Sequence, residues 1–310
     1  MAAIVEVVLP VFALIALGYA AARLKLVDDL ALKGLAFFVF AFAAPALLFS
    51  GGTRPHEPAG GAALVTLVAG VAVFLAMLAV GRRAMGLALP EAALFAFACV
   101  FGNTVMMGIP LIVAAYGQPG LPPLLAILGV QTVAIIGMAT VAIEIGLAAS
   151  APIGRVLRAT VTGVARNPVL VAVLLAMVWN ATGLPVPGPL RRTLEMLGAA
   201  SPPVALFCLG ASLVGLSAAS FWRETALIAA VKLVAMPAVA FALCRALGLT
   251  PVETAVAVTM AGLPTGANAF ILARRYATGA DRSGSAVVAT TALSVLTLGA
   301  MIAHFRQGLP

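Results

Sequence analysis

Charged side chains are scarce in this 310-residue sequence: they make up 9% of it, whereas hydrophobic residues make up 63%. Soluble domains are about half apolar and about a quarter charged. The 18 basic and 10 acidic residues therefore cannot cover a water-soluble surface of this size. At about 20 residues per spanning helix, the chain has room for about ten spans. The composition predicts an integral membrane protein without a sizeable soluble domain.

Residues that carry metal, redox or acid–base chemistry are also few. Cys99, Cys208 and Cys244 all lie in apolar runs without ligand-spaced partners, so neither a disulfide framework nor a metal site is expected. The only histidines, His56 and His304, fall at the edges of predicted spans, and no span contains paired acidic residues. This pattern argues against an intramembrane enzyme. No cofactor is expected, and no nucleotide-binding motif is present.

The excess of basic over acidic residues is interpreted through the membrane. The basic residues lie in short loops between apolar runs, which indicates contact with lipid phosphates and cytosol and not with nucleic acid. The loops are numbered in chain order between the ten predicted spans, whose ranges are given below. Odd-numbered loops hold twelve of the basic residues, whereas even-numbered loops and the termini hold five. Because cytoplasmic loops are enriched in Lys and Arg, the odd loops are expected in the cytoplasm. Both termini are then extracytoplasmic.

Apolar runs between clusters of charge, glycine and proline predict ten spans. They cover residues 4–23, 30–50, 60–80, 91–116, 123–148, 168–183, 199–219, 223–246, 252–273 and 284–304. A first five-helix repeat (1–149), a cytoplasmic connecting segment (150–167) lying along the interface and a second repeat (168–310) are expected. With five spans per half, a homologous second half is inverted. Spans two and seven share Pro-x-x-Leu-Phe, beginning at Pro45 and Pro203.

Spans four and nine are both interrupted by glycine and proline. Proline removes a backbone donor and clashes with the preceding turn, and nearby glycines ease unwinding. In a bilayer, the freed backbone groups need protein or a water-filled cavity around them. Two broken helices in inverted halves indicate a transporter's mid-membrane site; the alternative is two kinks with a structural role only. The predicted hinge residues are Gly102, Gly108, Pro110, Gly262, Pro264 and Gly266.

At these residues the sequence resembles the auxin efflux carrier family, which includes plant auxin exporters and bacterial malate or malonate carriers. The similar segments are Leu9–Phe12, Pro45–Phe49, Asn103–Gly108, Arg166–Pro168, Leu209–Leu213, Lys232–Leu233 with Pro237, and Pro264 with Ala269–Phe270. The resemblance implies an all-α membrane fold of ten transmembrane helices in two inverted repeats, like sodium–proton antiporters and bile-acid symporters. It also implies that broken helices four and nine cross, that a homodimer forms through scaffold helices, and that an organic anion binds beside the crossing. The chain lacks the charged pair that the family carries in span three.

Lys232 is the basic residue that lies deep within a predicted span, where a charge is costly and usually functional. One interpretation places its ammonium beside the crossing, where it offsets helix C-terminal dipoles, attracts an anion or changes protonation. The other interpretation is that the long side chain extends to the membrane interface.

The remaining substrate-binding candidates are uncharged. Asn103 and Thr104 in span four, with Thr265 and Asn268 in span nine, are suited to a carboxylate. Alternatively, they cap backbone groups that the breaks release. The family resemblance makes Gln131 of span five a further substrate contact; bonding between helices explains it equally well.

These residues favour a secondary carrier that moves a small organic anion, such as a carboxylate, by alternating access. Its partners would be that anion, membrane lipid and a second copy of the chain. A sodium–proton antiporter needs mid-membrane carboxylates, whereas Asp28, Asp29 and Asp281 all lie in predicted loops. A pore or a non-transporting membrane sensor remains an alternative. Substrate identity, direction and coupling ion are not encoded in any recognisable motif.

The charge distribution makes a direct prediction about topology. Single cysteines substituted for Arg54 and Arg155 should react with impermeant thiol reagents from opposite sides of the membrane, with position 155 cytoplasmic. Reaction of both positions from the same side would contradict the five-plus-five arrangement.

Overall fold

The computed structural model describes residues 8–53, 60–147, 162, 167–215 and 221–306, and most of these residues are helical. In chain order the helices are α1 (Leu9–Arg23), α2 (Asp29–Gly52), α3 (Gly60–Arg83), α4 (Leu89–Val100), α5 (Thr104–Tyr116), α6 (Gln118–Gly146), α7 (Pro168–Ala181), α8 (Gly188–Ser212), α9 (Trp222–Ala246), α10 (Pro251–Ala261), α11 (Ala267–Arg275) and α12 (Ala280–Arg306). Arg54 and the predicted interfacial segment 150–167, apart from Thr162 and Asn167, lie outside the described residues.

The lengths of these helices agree with a chain that crosses a membrane several times. Within the described ranges, six helices are long and apolar enough to span a membrane: α2, α3, α6, α8, α9 and α12. Five more are apolar but shorter: α1, α4, α5, α7 and α10. Predicted spans four and nine are each divided into two helices, α4 with α5 and α10 with α11. The architecture is all-helical, as the composition predicts.

The seventh predicted span, residues 199–219, begins close to the second half of α8, Ser201–Ser212, and a more polar first half, Gly188–Ala199, precedes it. Residues Gly188–Ala199 carry two arginines and a glutamate, so hydropathy alone excludes them from an apolar run. Pro189 lies in the first turn, where a missing N–H costs nothing. Gly198 then packs against Leu47 of α2, which joins this polar segment to the bundle.

Side-chain caps determine where several helices begin. Asp28 Oδ1 accepts a hydrogen bond from the Ala31 N–H at 2.7 Å and starts α2. Thr250 and Glu253 form a reciprocal capping box at the start of α10. Asn167 Oδ1 accepts from the first backbone N–H groups of α7. Each cap contributes about 1 kcal/mol, so these helix starts follow directly from local sequence.

Within the described ranges, three complete π-helical turns interrupt the helices, and a proline follows each of them. The turns are Val39–Ala43, Thr104–Gly108 and Val231–Ala235, and the prolines are Pro45, Pro110 and Pro237. A proline has no N–H, and its ring clashes with the carbonyl four residues earlier. A wider π turn relieves that clash without ending the helix. The sequence predicted an interruption at Pro110 but not at the other two prolines.

Glycines allow α1 and α8 to pack backbone against backbone. A Cβ atom at Gly210 of α8 would overlap the carbonyl oxygen of Ile15 in α1. A Cβ atom at Gly18 of α1 would overlap the carbonyl of Phe207 in α8. Small residues at such crossings let membrane helices gain close van der Waals contact. The second half of α8 is thereby fixed as the surface on which α5 also packs.

An ionic cluster joins three helices at their N-terminal ends. Arg282 of α12 lies 3.3 Å from Glu224 of α9 and 3.7 Å from Glu91 of α4. The guanidinium also lies over the Phe221 ring, 5.0 Å from its centroid. Because the pairs are partly exposed, each contributes about 1 kcal/mol or less. The cluster holds the outer ends of α4 and α9 together, and both helices lead inward to the site described below.

The glycine contact predicts a selective loss of stability. Gly210→Ala forces α1 and α8 apart, because the added methyl group meets the Ile15 backbone, which cannot rotate away. The cost of such overpacking is about 1–3 kcal/mol, so the melting temperature in detergent should fall by several degrees. Gly137→Ala in α6 is the matched control, since nothing lies within 4 Å of its Cβ position. Equal melting temperatures for the two variants would contradict the close crossing.

Candidate functional site

The interruptions of the two broken helices contact each other through their backbones. Gly102, after α4, and Thr265, after α10, form an isolated antiparallel β-bridge. The Asn103 N–H donates to the Pro264 carbonyl at 2.9 Å, and the Gly266 N–H donates to the Phe101 carbonyl at 2.9 Å. Each break thus satisfies backbone groups that the other releases, which a membrane interior demands.

The glycines of the breaks provide space and not unusual backbone angles. A Cβ atom at Gly266 would lie 2.8 Å from the Gly102 carbonyl oxygen, and one at Gly102 would lie 3.0 Å from Leu263 Cβ. A Cβ atom at Gly108 would lie 2.8 Å from Leu263 Cδ1. None of these glycines has a positive φ angle. Close approach of the two interrupted segments, and not the backbone angle, is what requires glycine at these positions.

Hydroxyl groups complete the hydrogen bonding around the second break. Thr265 is fully buried, and its Oγ1 donates to the Ala98 carbonyl at 2.9 Å. The Thr265 N–H donates to Thr290 Oγ1 of α12 at 3.0 Å. Tyr116, at the end of α5, shares a 2.8 Å hydrogen bond with Thr259 of α10. These bonds hold α4, α5, α10 and α12 around the breaks, and the Thr265 hydroxyl proton is committed to Ala98.

Lys232 lies against the C-terminal ends of α4 and α10. Its side chain is fully buried, and Nζ donates to the carbonyl of Ala261, the last residue of α10, at 2.5 Å. A Cβ atom at Gly102 would lie 3.4 Å from Nζ, so the ammonium is also next to the end of α4. Helix C-termini carry partial negative charge, which the ammonium offsets. Complete burial excludes an ammonium that extends to the membrane interface.

Asn103 differs from Lys232, because its side-chain donor makes no hydrogen bond to a described residue. The residue is 6% exposed, and no described residue accepts a hydrogen bond from Nδ2. Its backbone is fully engaged: the N–H bonds Pro264, and the carbonyl accepts from Met107 and Gly108. Leaving a buried amide group unpaired costs about 1–3 kcal/mol. The free Nδ2 donor is therefore available to a ligand.

The ends of four helices give the site its electrostatics. α4 and α10 end at the breaks with their negative ends, whereas α5 and α11 begin there with their positive ends. The first N–H groups of a helix have no partner within it. Thr104, the first residue of α5, is 7% exposed, and Asn268, in the first turn of α11, is exposed. With Lys232 at the negative ends, the positive ends suit an anion.

The predicted site residues therefore fall into three groups. Asn103, Thr104 and Asn268 lie at the start of α5 or α11, whereas Lys232 and Thr265 contact backbone carbonyls of α10 and α4. Gln131 is buried in the middle of α6, which packs against α4, so it lies on a helix that neighbours the breaks. Thr290 and Thr259 were missed, because a threonine in an apolar helix gives no sequence signal of a distant partner.

The contact of Lys232 predicts a structural consequence of its removal. Lys232→Met keeps the chain length but leaves the Ala261 carbonyl unpaired, at a cost of about 1–3 kcal/mol. The melting temperature in detergent should fall, and Lys232→Arg should not restore it, because a guanidinium is too large beside Gly102. Lys33→Met is the control, since Lys33 is exposed. A melting temperature for Lys232→Met equal to that of the control would contradict this role.

Comparison with known proteins agrees with these features. The sequence model of a family described as "Membrane transport protein" matches residues 3–152 and 152–302. A protein of Rhizobium meliloti (strain 1021), described as "Putative malonate transporter", is 30% identical over 318 residues, which cover 99% of this chain and 98% of the relative. The chain is thus a multi-pass membrane protein, and it belongs to this membrane transport protein family, the family of the auxin efflux carriers.

Proposed function

We propose that the protein is a secondary carrier that moves a small organic anion across the membrane by alternating access. The observation that carries the proposal is the unpaired Asn103 Nδ2 donor, buried where the two breaks meet. Saturable transport needs a site that is specific and yet gives up its ligand. One amide donor with the positive ends of α5 and α11 meets both needs, because none of these groups carries a full charge.

The proposed fold has ten transmembrane helices in two inverted five-helix repeats, residues 1–149 and 168–310. In support, α4 with α5 and α10 with α11 occupy the fourth and ninth positions, and their interruptions pair with each other. The broken helices cross there, as in sodium–proton antiporters and bile-acid symporters. The charge distribution favours extracytoplasmic termini, and the similarity to a bacterial relative favours a bacterial inner membrane. The protein would form a homodimer through scaffold helices that contact lipid.

Malonate is the first substrate to test, because the Rhizobium relative is described as a malonate transporter. Its carboxylates would accept hydrogen bonds from Asn103, Thr104 and Asn268. Lys232 and Thr265 would position the breaks, and Gln131 would line the site from α6. A dicarboxylate carries two negative charges to the ends of two helices, which matches one charge to each positive end.

A sodium–proton antiporter on this fold is disfavoured by the composition of the breaks. Residues 100–110 and 260–270 contain no Asp or Glu, so neither break offers a carboxylate that could exchange an ion for a proton. Transport would therefore rest on recognition of the anion itself.

Uptake by proteoliposomes tests the proposal. The wild type should accumulate labelled malonate saturably and exchange it against internal malonate, which neither a pore nor a sensor does. Asn103→Ala should raise KM about tenfold or more, since a hydrogen bond to a charged group is worth about 1.5–3 kcal/mol. Asn103→Asp should abolish uptake, because it replaces the donor with a negative charge. Asn180→Ala, at the exposed end of α7, is the control. Wild-type KM in Asn103→Ala would refute the assignment.

A further inference from the structure

One face of α11 is exposed although this helix begins at the breaks. Ala269, Leu272 and Ala273 are buried. Asn268 and Arg274 are exposed, and Ile271 is 59% exposed. Residues 268, 271 and 274 are spaced three apart, so they lie on one side of the helix. At 1.5 Å per residue, this face extends about 9 Å from the break towards the end of the helix.

The chemistry of this face does not suit lipid. An asparagine in the hydrocarbon region loses its hydrogen bonds with water, and an exposed amide there costs several kcal/mol. Polar and charged groups at membrane depth face a bundle interior or a water-filled cavity. Arg274 has its guanidinium 5.8 Å from the Phe270 ring centroid, and no described carboxylate forms an ion pair with it. The face thus carries an available cation at one end and an amide at the other.

α5 and α11, the helices that follow the two breaks, are covered by their neighbours to different extents. α5 packs along the second half of α8, Ser201–Ser212, so the site is covered on that side. α11 packs mainly against α12 and α4, and its end is fixed by the Tyr276 hydroxyl, which donates to Glu144 of α6 at 2.8 Å. The exposed face of α11 points away from these contacts. The contacts among the described residues therefore leave α11 less covered than α5.

We propose that the exposed face of α11 lines the aqueous passage between the breaks and the cytoplasm, and that Arg274 captures the carboxylate anion at the mouth of this passage. The proposal rests on the proposed function for the identity of the anion, but the passage itself does not depend on it. The guanidinium forms bidentate hydrogen bonds with a carboxylate. Its charge raises the local anion concentration and the association rate, an effect that salt weakens.

Thiol labelling tests the passage without requiring transport. Ile271→Cys is compared with Leu296→Cys, because both replace apolar residues that are highly exposed, at 59% and 74%. The native cysteines are buried, so the unsubstituted protein gives the background rate. In proteoliposomes, an anionic impermeant methanethiosulfonate should modify position 271 at least tenfold faster than position 296. Equal rates would mean that lipid covers α11 and would overturn the passage.

Transport kinetics test the role of Arg274. Arg274→Gln should lower kcat/KM for malonate at least fivefold at low salt and should flatten its dependence on ionic strength, with kcat unchanged. Arg274→Lys should retain the salt dependence, which a purely structural arginine would not explain. Arg245→Gln is the control, since Arg245 is also exposed but lies in the last turn of α9, away from α11 in the chain. Wild-type salt dependence in Arg274→Gln would overturn the capture role. Absence of malonate uptake by the wild type, with position 271 still labelled, would refute the substrate and leave the passage standing.

Discussion

The backbone pairing of the two breaks is the constraint on which the rest of the structure depends. Hydrogen bonds from Asn103 N–H to Pro264 and from Gly266 N–H to Phe101 satisfy groups that each unwound segment exposes. Each such group would cost several kcal/mol if it were left unpaired in hydrocarbon. The pairing brings the two chains so close that Gly102 and Gly266 have no room for a side chain. The stability of this region and the close contact of the two breaks therefore have the same origin.

The same arrangement divides the electrostatic tasks between two residues. Lys232 donates to the carbonyl end of α10 and lies beside the end of α4, so its amino group occupies the negative ends of both helices. Asn103, whose Nδ2 is unused, lies at the start of α5. In the proposed function, an anion would meet positive helix ends without competition from neighbouring carbonyl groups. Such a division would let the site attract an anion and still release it.

Much of this was predictable because local residues encode it. The Gly and Pro clusters predicted interruptions in spans four and nine, and each of these spans is divided into two helices. The partner of Lys232 was not predictable, since Ala261 is distant along the chain and any carbonyl end would serve. The π turns before Pro45 and Pro237 were missed, because proline in an apolar run equally predicts a simple kink. The exposure of Asn268 depends on which neighbours cover α11, and a single sequence does not contain that information.

The central claim is that an anion binds where the positive ends of α5 and α11 meet the unpaired amide of Asn103. A structure determined with bound bromomalonate tests this most directly, because the bromine locates the ligand independently of its shape. The account predicts a carboxylate oxygen within hydrogen-bond distance of Asn103 Nδ2, with the backbone pairing between the breaks intact. A ligand bound away from the breaks, or a complex in which Lys232 leaves Ala261 to bind the anion, would contradict it.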